Sequence, residues 1–369
     1  MRDSFHVGPQ VERATTLPAS FYTDPRVHEL LRERVFARAW HLAPPAACPE
    51  VKESSQPFTL LPGVLDEPLL FTCDAAGNLH LLSNACTHRG ALVASAACRG
   101  RELRCPYHGR RFSLDGRFVA APGFEGAVEF PRPVDDLASL PLEKRGPLRF
   151  FSLAPAVKAE DWLSTLDQRL GFLPLGTLRF DPLGERNFEV RAHWALYVEN
   201  YLEGFHVPFV HPSLSRALDL ERYTVEVLDR AVLQTAESRP GEPAFEAPAG
   251  HPDHGRRVAA YYLWLFPNLM LNFYPWGLSA NVVEPRGPQS AAIRYHRYLW
   301  REDLLERGAG SGLDQVERED ECVVESVQQG LRSRLWPGGR FSPAHEPGLH
   351  HFQSLLASLA AHEADPLRG

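Results

Sequence analysis

Glu203, His206 and His211 are the residues of this 369-residue chain whose types and spacing point most directly to chemistry. They lie in the run Glu199-Asn200-Tyr201-Leu202-Glu203-Gly204-Phe205-His206-Val207-Pro208-Phe209-Val210-His211. On a helix, Glu203 and His206 share a face. His206 and His211 are spaced so that a straight helix would set them about 140° apart. Pro208 lacks an N–H and crowds the carbonyl of Gly204, so the spacing predicts a kink or stop that swings His211 back. Two imidazoles turned toward one point beside a carboxylate could hold a metal. The plainer reading is a broken helix with two surface histidines and a solvated acidic face.

A second constellation lies upstream: Cys86-Thr87-His88, sixteen intervening residues, then Cys105-Pro106-Tyr107-His108-Gly109. Each half offers one thiolate and one imidazole from a tight loop, and two such loops can hold four ligands on a soft or borderline metal. The order suits a [2Fe–2S] cluster with Cys86 and Cys105 on one iron and His88 and His108 on the other. Histidine ligation would raise its potential to roughly −150 mV or higher. A structural zinc site is the rival, but zinc motifs more often pair Cys with Cys and His with His. Cys98 lies between the halves as a bystander, and Cys48 and Cys73 read as packed thiols.

Two neutral histidines leave a metal site short of a carboxylate. Near the C-terminus Leu313, Val316, Val323, Val324, Val327, Leu331 and Leu335 form an apolar helical stripe. Asp320 interrupts that stripe, and a buried carboxylate needs a cation or a metal. A structural arginine partner is the alternative. Glu319 falls off the stripe, and Cys322 lies on the opposite side.

The elements that must position these groups fall into three stretches. Residues 1–45 carry a helix start at Thr23-Asp24-Pro25, followed by Val27, Leu30, Leu31, Val35, Phe36 and Trp40 at helical spacing. This segment is expected to pack on a neighbouring domain. Residues 46–150 show short β-like runs, with Asp115-Gly116 as a hairpin turn. Residues 151–369 combine a helical pattern at 159–170 with strand-like runs at 187–191, 223–228, 231–235, 258–266, 278–283 and 291–300. Antiparallel strands with helices on one face make an α+β layout. Ser238–Arg256, rich in Pro, Gly and charge, reads as a long loop of the kind that serves as a lid.

Hydrophobic content of 44% with 23% charged residues describes a globular chain long enough for two cores. A net charge of −7 argues against a nucleic-acid partner. The first twenty residues have no apolar run, and Pro267, Asn268 and Asn272 interrupt the most apolar stretch, so no membrane span is expected. Six cysteines without scaffold spacing make a reducing cytoplasm the expected setting.

Cys86-x-His88…Cys105-x-x-His108 followed by Glu203-x-x-His206-x-x-x-x-His211 resembles the α subunit of Rieske non-haem iron oxygenases. The resemblance runs from Tyr22–Trp40 to Gly339-Arg340-Phe341-Ser342 and His350-His351-Phe352. It implies a small antiparallel β Rieske domain at 46–150 and a helix-grip antiparallel-sheet catalytic domain at 151–369. It implies a Rieske [2Fe–2S] cluster, mononuclear Fe(II) held by His206, His211 and Asp320, and O2 as co-substrate. Electrons would come from NAD(P)H through a separate ferredoxin or flavin reductase. Glu203 would bridge an iron-ligand histidine to a cluster histidine, His108, of a neighbouring subunit, which implies a head-to-tail ring, a homotrimer. Many members have Asp at the Glu203 position. Asn200 either approaches the iron or bonds a local carbonyl. Arg110-Arg111 replaces a common tryptophan and is expected to make the docking surface near the cluster more basic.

The expected reaction is hydroxylation or oxidative demethylation of a small organic substrate. Glu203 and the Gly339–Phe352 segment look similar to the choline/carnitine monooxygenase branch. Tyr261, Tyr262, Trp264, Phe266, Phe273, Tyr274 and Trp276 could form an aromatic cage for a quaternary ammonium, or be ordinary sheet core. An electron carrier without a working iron site and a helix-grip ligand-binding protein are the alternatives. About three irons per chain fit the oxygenase, two the carrier and none the binder.

Overall fold

A computed structural model describes residues 5–212, 218–305, 307–310 and 312–361. The chain divides into two compact units, Trp40–Pro155 and Met1–Ala39 with Ala156–Gly369. The smaller unit begins at 40 rather than 46 because His41 and Leu42 pair with Phe151 and Phe150 as a short antiparallel strand.

The smaller unit is built from three antiparallel sheets. Ser54–Leu60, Glu67–Cys73 and Leu79–Ser83 form a meander, and Cys98–Arg99 adds to its edge. Arg111–Ser113 pairs with both Glu102–Arg104 and Phe118–Ala120. Leu70, Leu82, Leu103, Phe112 and Leu114 bury one core, and Cys86 and Cys105 belong to it. The hairpin at Asp115-Gly116 depends on glycine. Gly116 has φ +89°, and a Cβ there would lie 2.8 Å from Leu82 Cδ2 and 3.2 Å from the Leu137 carbonyl oxygen.

In the larger unit an eight-stranded antiparallel sheet runs in the order Arg179–Val190, Ser290–Leu299, Gly277–Gly287, Leu269–Tyr274, Arg257–Leu265, Ala231–Ser238, Leu218–Leu228, with Phe245–Glu246 paired onto Arg257–Leu265. Every residue of Leu269–Tyr274 is buried, so this strand shows no apolar–polar alternation and is hard to see in the sequence. Against the sheet lie the helices Trp194–Tyr201, Leu313–Gly330 and Pro347–Ala361. Phe352, fully buried, meets Trp194 and Trp264 edge-on at 5.8 and 5.3 Å. Asp24 caps the helix Pro25–Arg34 by accepting the Arg26 N–H at 2.9 Å, with Pro25 in the first turn.

Two expectations need correction. Ser238–Arg256 is a pinned segment rather than a lid. Asp253, 2% exposed, accepts from Arg256 at 2.6 Å and Tyr261 at 3.3 Å and pairs with Arg169 at 3.4 Å. Glu199, read as a solvated neighbour, is buried and accepts a 2.6 Å bond from the Tyr22 hydroxyl. The chain continues from Tyr22 to Gln353 Nε2, which donates to its hydroxyl at 3.0 Å, and from Gln353 Oε1 to the Leu17 N–H at 2.7 Å. The N-terminal segment, the last helix and the helix Trp194–Tyr201 are thereby tied together.

Burial pushes the Glu199 carboxyl from its ordinary 4.5 up to about 8, against the lowering effect of its bonds to Tyr22 and Gln353. The folded state therefore holds a proton that the unfolded chain releases, and stability falls as pH rises from about 4.5 toward 8. Glu199→Gln is expected to stabilise the protein by on the order of 3 kcal/mol at pH 7 and by little near pH 4.5. Urea unfolding across this range checks it; a gap that does not widen with pH contradicts it.

Candidate active site

His206 does not lie on the continuous helix that the spacing predicts. Trp194–Tyr201 ends with Leu202 as its cap, before Glu203, and a new short helix, Val207–Val210, has Pro208 in its first turn. Pro208 starts a helix rather than kinking one, since its fixed φ and missing N–H cost nothing there. Glu203 instead caps the turn: its Oε2 accepts the His206 N–H at 3.0 Å and its Oε1 lies 2.6 Å from His206 Nδ1. At Gly204 a Cβ would sit 3.1 Å from the Tyr223 ring, so glycine lets that ring approach the turn.

Opposite this turn runs the helix Leu313–Gly330. It is anchored by Gln328 Oε1 accepting the His193 N–H at 2.7 Å and by a 2.6 Å Arg191–Glu325 ion pair. Its buried face differs from the predicted stripe. Val327 and Leu335 are 44% and 91% exposed, and the buried positions are Glu317, Val324, Gln328 and Leu331. Asp320 does lie on this corrected face. Its Oδ1 is 3.0 Å from His211 Nε2 and 3.5 Å from His206 Nε2. One ligand atom from each of His206, His211 and Asp320 fits within 4.8 Å of the others, as metal binding needs.

The other ring nitrogens decide how the histidines face. His206 Nδ1 meets Glu203, and His211 Nδ1 meets Glu319 Oε2 at 2.7 Å. A carboxylate at each Nδ1 accepts a hydrogen bond from that nitrogen, so that Nε2, beside Asp320, would be the nitrogen to ligate a metal. The donor set therefore suits iron(II): two neutral imidazoles and one carboxylate, each histidine braced from behind. The apolar stripe alone misses Glu319, because the residue falls off it. The signal that could find it is its position beside Asp320, one residue round the helix. The His211 bond holds the Glu319 carboxyl below its ordinary range. Asn200 approaches the site: its Nδ2 donates to Asp320 Oδ1 at 2.6 Å.

In the smaller unit the two Cys/His loops share one construction. The N–H of Gly90 returns to the Cys86 carbonyl at 2.9 Å, and that of Gly109 to the Cys105 carbonyl at 3.1 Å. Both glycines are left-handed, with φ +70° and +72°. Cys86 and Cys105 are buried, and the His88 and His108 rings approach to 4.7 Å between centroids. Two thiols inside and two imidazoles outward fit a cluster with one iron toward the core and one toward the surface. Cys98 is exposed and stands apart from both loops, against Ser55. Cys73 is buried and Cys48 half-buried.

Arg110 corrects another expectation. It is 2% exposed, so it adds no charge to a docking surface. Its Nη1 donates to Thr87 Oγ1 at 2.8 Å and lies 3.4 Å from Asp135 Oδ1. Arg111 is exposed but pairs with Glu102 at 3.1 Å.

Around the triad in the larger unit opens a half-enclosed cavity. Tyr197, Tyr201, Tyr223, Tyr262, Tyr274 and Tyr295 line it, with Asn200, Gln234, Asn272 and Asn281. Of the seven aromatics suspected of forming a cage, Tyr262 and Tyr274 reach the cavity; the other five do not line it. Glu317 also lines it, 2% exposed, with Oε2 accepting from the Tyr197 and Tyr295 hydroxyls. Its Oε1 is buried without a hydrogen-bond partner. Burial raises the Glu317 carboxyl to about 8, opposed by the two tyrosine bonds and reinforced by Asp320 and Glu321. Among the described lining residues there is no lysine or arginine.

Comparison with known proteins agrees with this geometry. Residues 49–134 match the Rieske [2Fe-2S] domain, and residues 179–361 match the ring hydroxylating alpha subunit catalytic domain. The chloroplastic choline monooxygenase of Arabidopsis thaliana is 30% identical over 94% of this chain and 83% of its own length. The carnitine monooxygenase oxygenase subunit of Escherichia coli (strain K12) is 30% identical over 97% of this chain and 96% of its own. Among solved structures, a quaternary ammonium Rieske monooxygenase superposes with TM-score 0.77 at 23% identity, covering 96% of this chain and all (100%) of the other. Naphthalene 1,2-dioxygenase from Rhodococcus sp. gives 0.70 at 20% identity, with 95% of each chain covered. Among the described residues no helix is long and apolar enough to cross a membrane. With a Rieske cluster, mononuclear iron and O2 as its chemistry, the chain belongs to the Rieske non-haem iron oxygenases, as an oxygenase α subunit.

Proposed function

We propose that this oxygenase acts on a small quaternary ammonium compound of the choline type, with His206, His211 and Asp320 holding the mononuclear iron. Cys86, His88, Cys105 and His108 hold the cluster in this reading. The observation that carries the substrate class is Glu317: a buried carboxylate with an unpartnered oxygen in a cavity lined by six tyrosines. A trimethylammonium group cannot donate a hydrogen bond and is held by ring faces and a counter-charge. The choline and carnitine monooxygenases among its relatives support the same class.

When bound, the iron supplies activation of dioxygen with electrons delivered through the cluster. The net change is a substrate C–H converted to C–OH, with two electrons and two protons taken up and one water released. The residues hold the geometry for it. Glu203 and Glu319 keep the Nδ1 protons in place, Asn200 holds one oxygen of Asp320, and the tyrosines and Glu317 seat the cation with its reacting carbon toward the triad. Glu203 has a second role in this reading, toward a cluster histidine of a neighbouring subunit in a head-to-tail trimer. Inter-subunit electron transfer in the quaternary ammonium Rieske monooxygenase of the same fold supports it. A separate ferredoxin or flavin reductase supplies the electrons from NAD(P)H, and all six cysteines being free fits a cytoplasmic setting.

Asp320→Ala is expected to lower iron from about three to about two per chain while the cluster's visible spectrum persists. Glu319→Gln is expected to weaken iron binding by roughly 10- to 100-fold. Iron quantitation after dialysis checks both, and full iron retention in Asp320→Ala removes the assignment. For the substrate, the reconstituted system is supplied with choline, carnitine, betaine and a small aromatic, and products are scored by mass spectrometry. Choline is expected to be hydroxylated; NADH consumption without product from every ammonium compound would refute the class. Ionised Glu317 binds a cation better, so choline affinity is expected to rise with pH and level off above about 8, a rise that Glu317→Gln abolishes.

A further inference from the structure

Arg110 stands immediately beyond the second cluster loop, and no step assigned so far uses it. Its side chain is almost wholly enclosed. Three phenylalanine rings surround the guanidinium carbon, Phe118 and Phe124 at 5.2 Å and Phe130 at 5.3 Å from their centroids. Its charge is answered by Asp135, whose side chain is 9% exposed and whose Oδ2 also accepts the Arg132 N–H at 2.8 Å. Arg132 Nε adds a looser contact at 3.7 Å. Arg110 Nε is buried without a hydrogen-bond partner.

This group reaches both cluster loops. The Arg110 carbonyl accepts the Cys105 N–H at 2.9 Å, so the backbone of Arg110 closes the second loop. Its guanidinium donates to Thr87, the residue between Cys86 and His88, and Thr87 Oγ1 donates in turn to the Asp135 carbonyl oxygen at 2.7 Å. Phe124 completes the circuit, touching Arg110 on one side and the His88 ring edge-on at 5.2 Å on the other. A fixed cation behind the histidine side of the site favours whichever redox state carries more negative charge, and its low-dielectric surroundings prevent water from screening it. Adding one electron to the cluster makes it more negative.

We propose that Arg110 is a positioning residue for the cluster: it clamps the Cys86–His88 loop to the Cys105–His108 loop through Thr87, and the balance between its charge and that of Asp135 sets the reduction potential. A purely structural role predicts that Arg110 and Asp135 variants loosen the loops in the same way. An electrostatic role predicts shifts of opposite sign.

The test is an EPR-monitored redox titration of the full-length protein carrying its cluster. Arg110→Gln is expected to disfavour reduction about tenfold, which for one electron is ~59 mV downward. Asp135→Asn is expected to move the midpoint upward, and Arg110→Lys, which keeps the charge, to stay within about threefold of wild type. Shifts of the same sign in Arg110→Gln and Asp135→Asn, an unmoved midpoint in Arg110→Gln, or a lysine variant that falls as far as the glutamine one, each overturn the proposal. If Arg110→Gln does not retain its cluster, Asp135→Asn decides alone: an upward shift sustains the proposal, and no shift or a downward one ends it.

Discussion

A carboxylate behind each histidine is the constraint on which the rest of this site depends. Imidazole has two nitrogens, and only the unprotonated one can ligate. Glu203 on His206 and Glu319 on His211 both accept a hydrogen bond from Nδ1–H, so both Nε2 atoms are the ones left to ligate a metal beside Asp320. These bonds come from two separate places in the chain. Glu203 lies in the turn that precedes His206, so turn geometry alone delivers it. Glu319 must come from a helix over a hundred residues later, and the sheet and the Arg191–Glu325 and His193–Gln328 contacts exist, for this purpose, to bring that helix alongside. The fold can be read as the apparatus that makes the second bond possible.

Gathering acids has a cost that shapes the neighbourhood. Glu199 on the helix Trp194–Tyr201, Glu203 in the turn that follows it, and Glu317, Glu319 and Asp320 on the helix Leu313–Gly330 all meet here, and like charges at this density repel. The structure separates them by environment. Glu319, most open to solvent and facing a histidine, stays ionised. Glu199 and Glu317, enclosed by tyrosine hydroxyls and apolar walls, are pushed to about 8 and hold protons at neutrality. A proton on each removes its share of the repulsion, and Tyr22 satisfies one oxygen of Glu199 and Tyr197 with Tyr295 one oxygen of Glu317.

Much of this was legible in the sequence where the chemistry is local. Cys86-Thr87-His88 and Cys105–His108 are loops whose function lies in their own spacing, and the β hairpin at Asp115-Gly116 follows from turn chemistry. His206, His211 and Asp320 are brought together as their residue types suggested. What failed was inference from hydrophobicity along one helix. Val327 and Leu335 looked like core and are exposed, whereas Glu317 and Gln328, outside the predicted stripe, are buried. A functional cavity inverts the usual pattern, because polar groups face inward where a ligand or a second chain segment satisfies them. Arg110 misled for the same reason: an arginine beside a metal loop reads as surface charge until Asp135 and three phenylalanines, all from downstream segments, are seen to enclose it. A contiguous aromatic run cannot make the cage, because successive residues of a strand point to opposite faces. Tyr262 and Tyr274 reach the cavity, whereas Tyr261 turns to Asp253 and Phe245, and Trp264, on the face of Tyr262 but further along the strand, packs on Phe352. The remaining tyrosines come from other strands and from the helix Trp194–Tyr201.

The inverted pattern also bears on how a cation could enter a site that is to hold another. A trimethylammonium group approaching a divalent metal meets repulsion, which the fixed ligand charge of Asp320 offsets only in part. Neutral tyrosine rings supply attraction without adding a permanent charge that would bind metal competitively. Glu317 adds a charge that is conditional. It is protonated when the cavity is empty of cations and can ionise when one arrives, because the arriving charge lowers its pKa from about 8. In the proposed reading, burial of Glu317 under Tyr197 and Tyr295 would separate two electrostatic tasks within one cavity: Asp320 would serve the metal, and Glu317 the substrate.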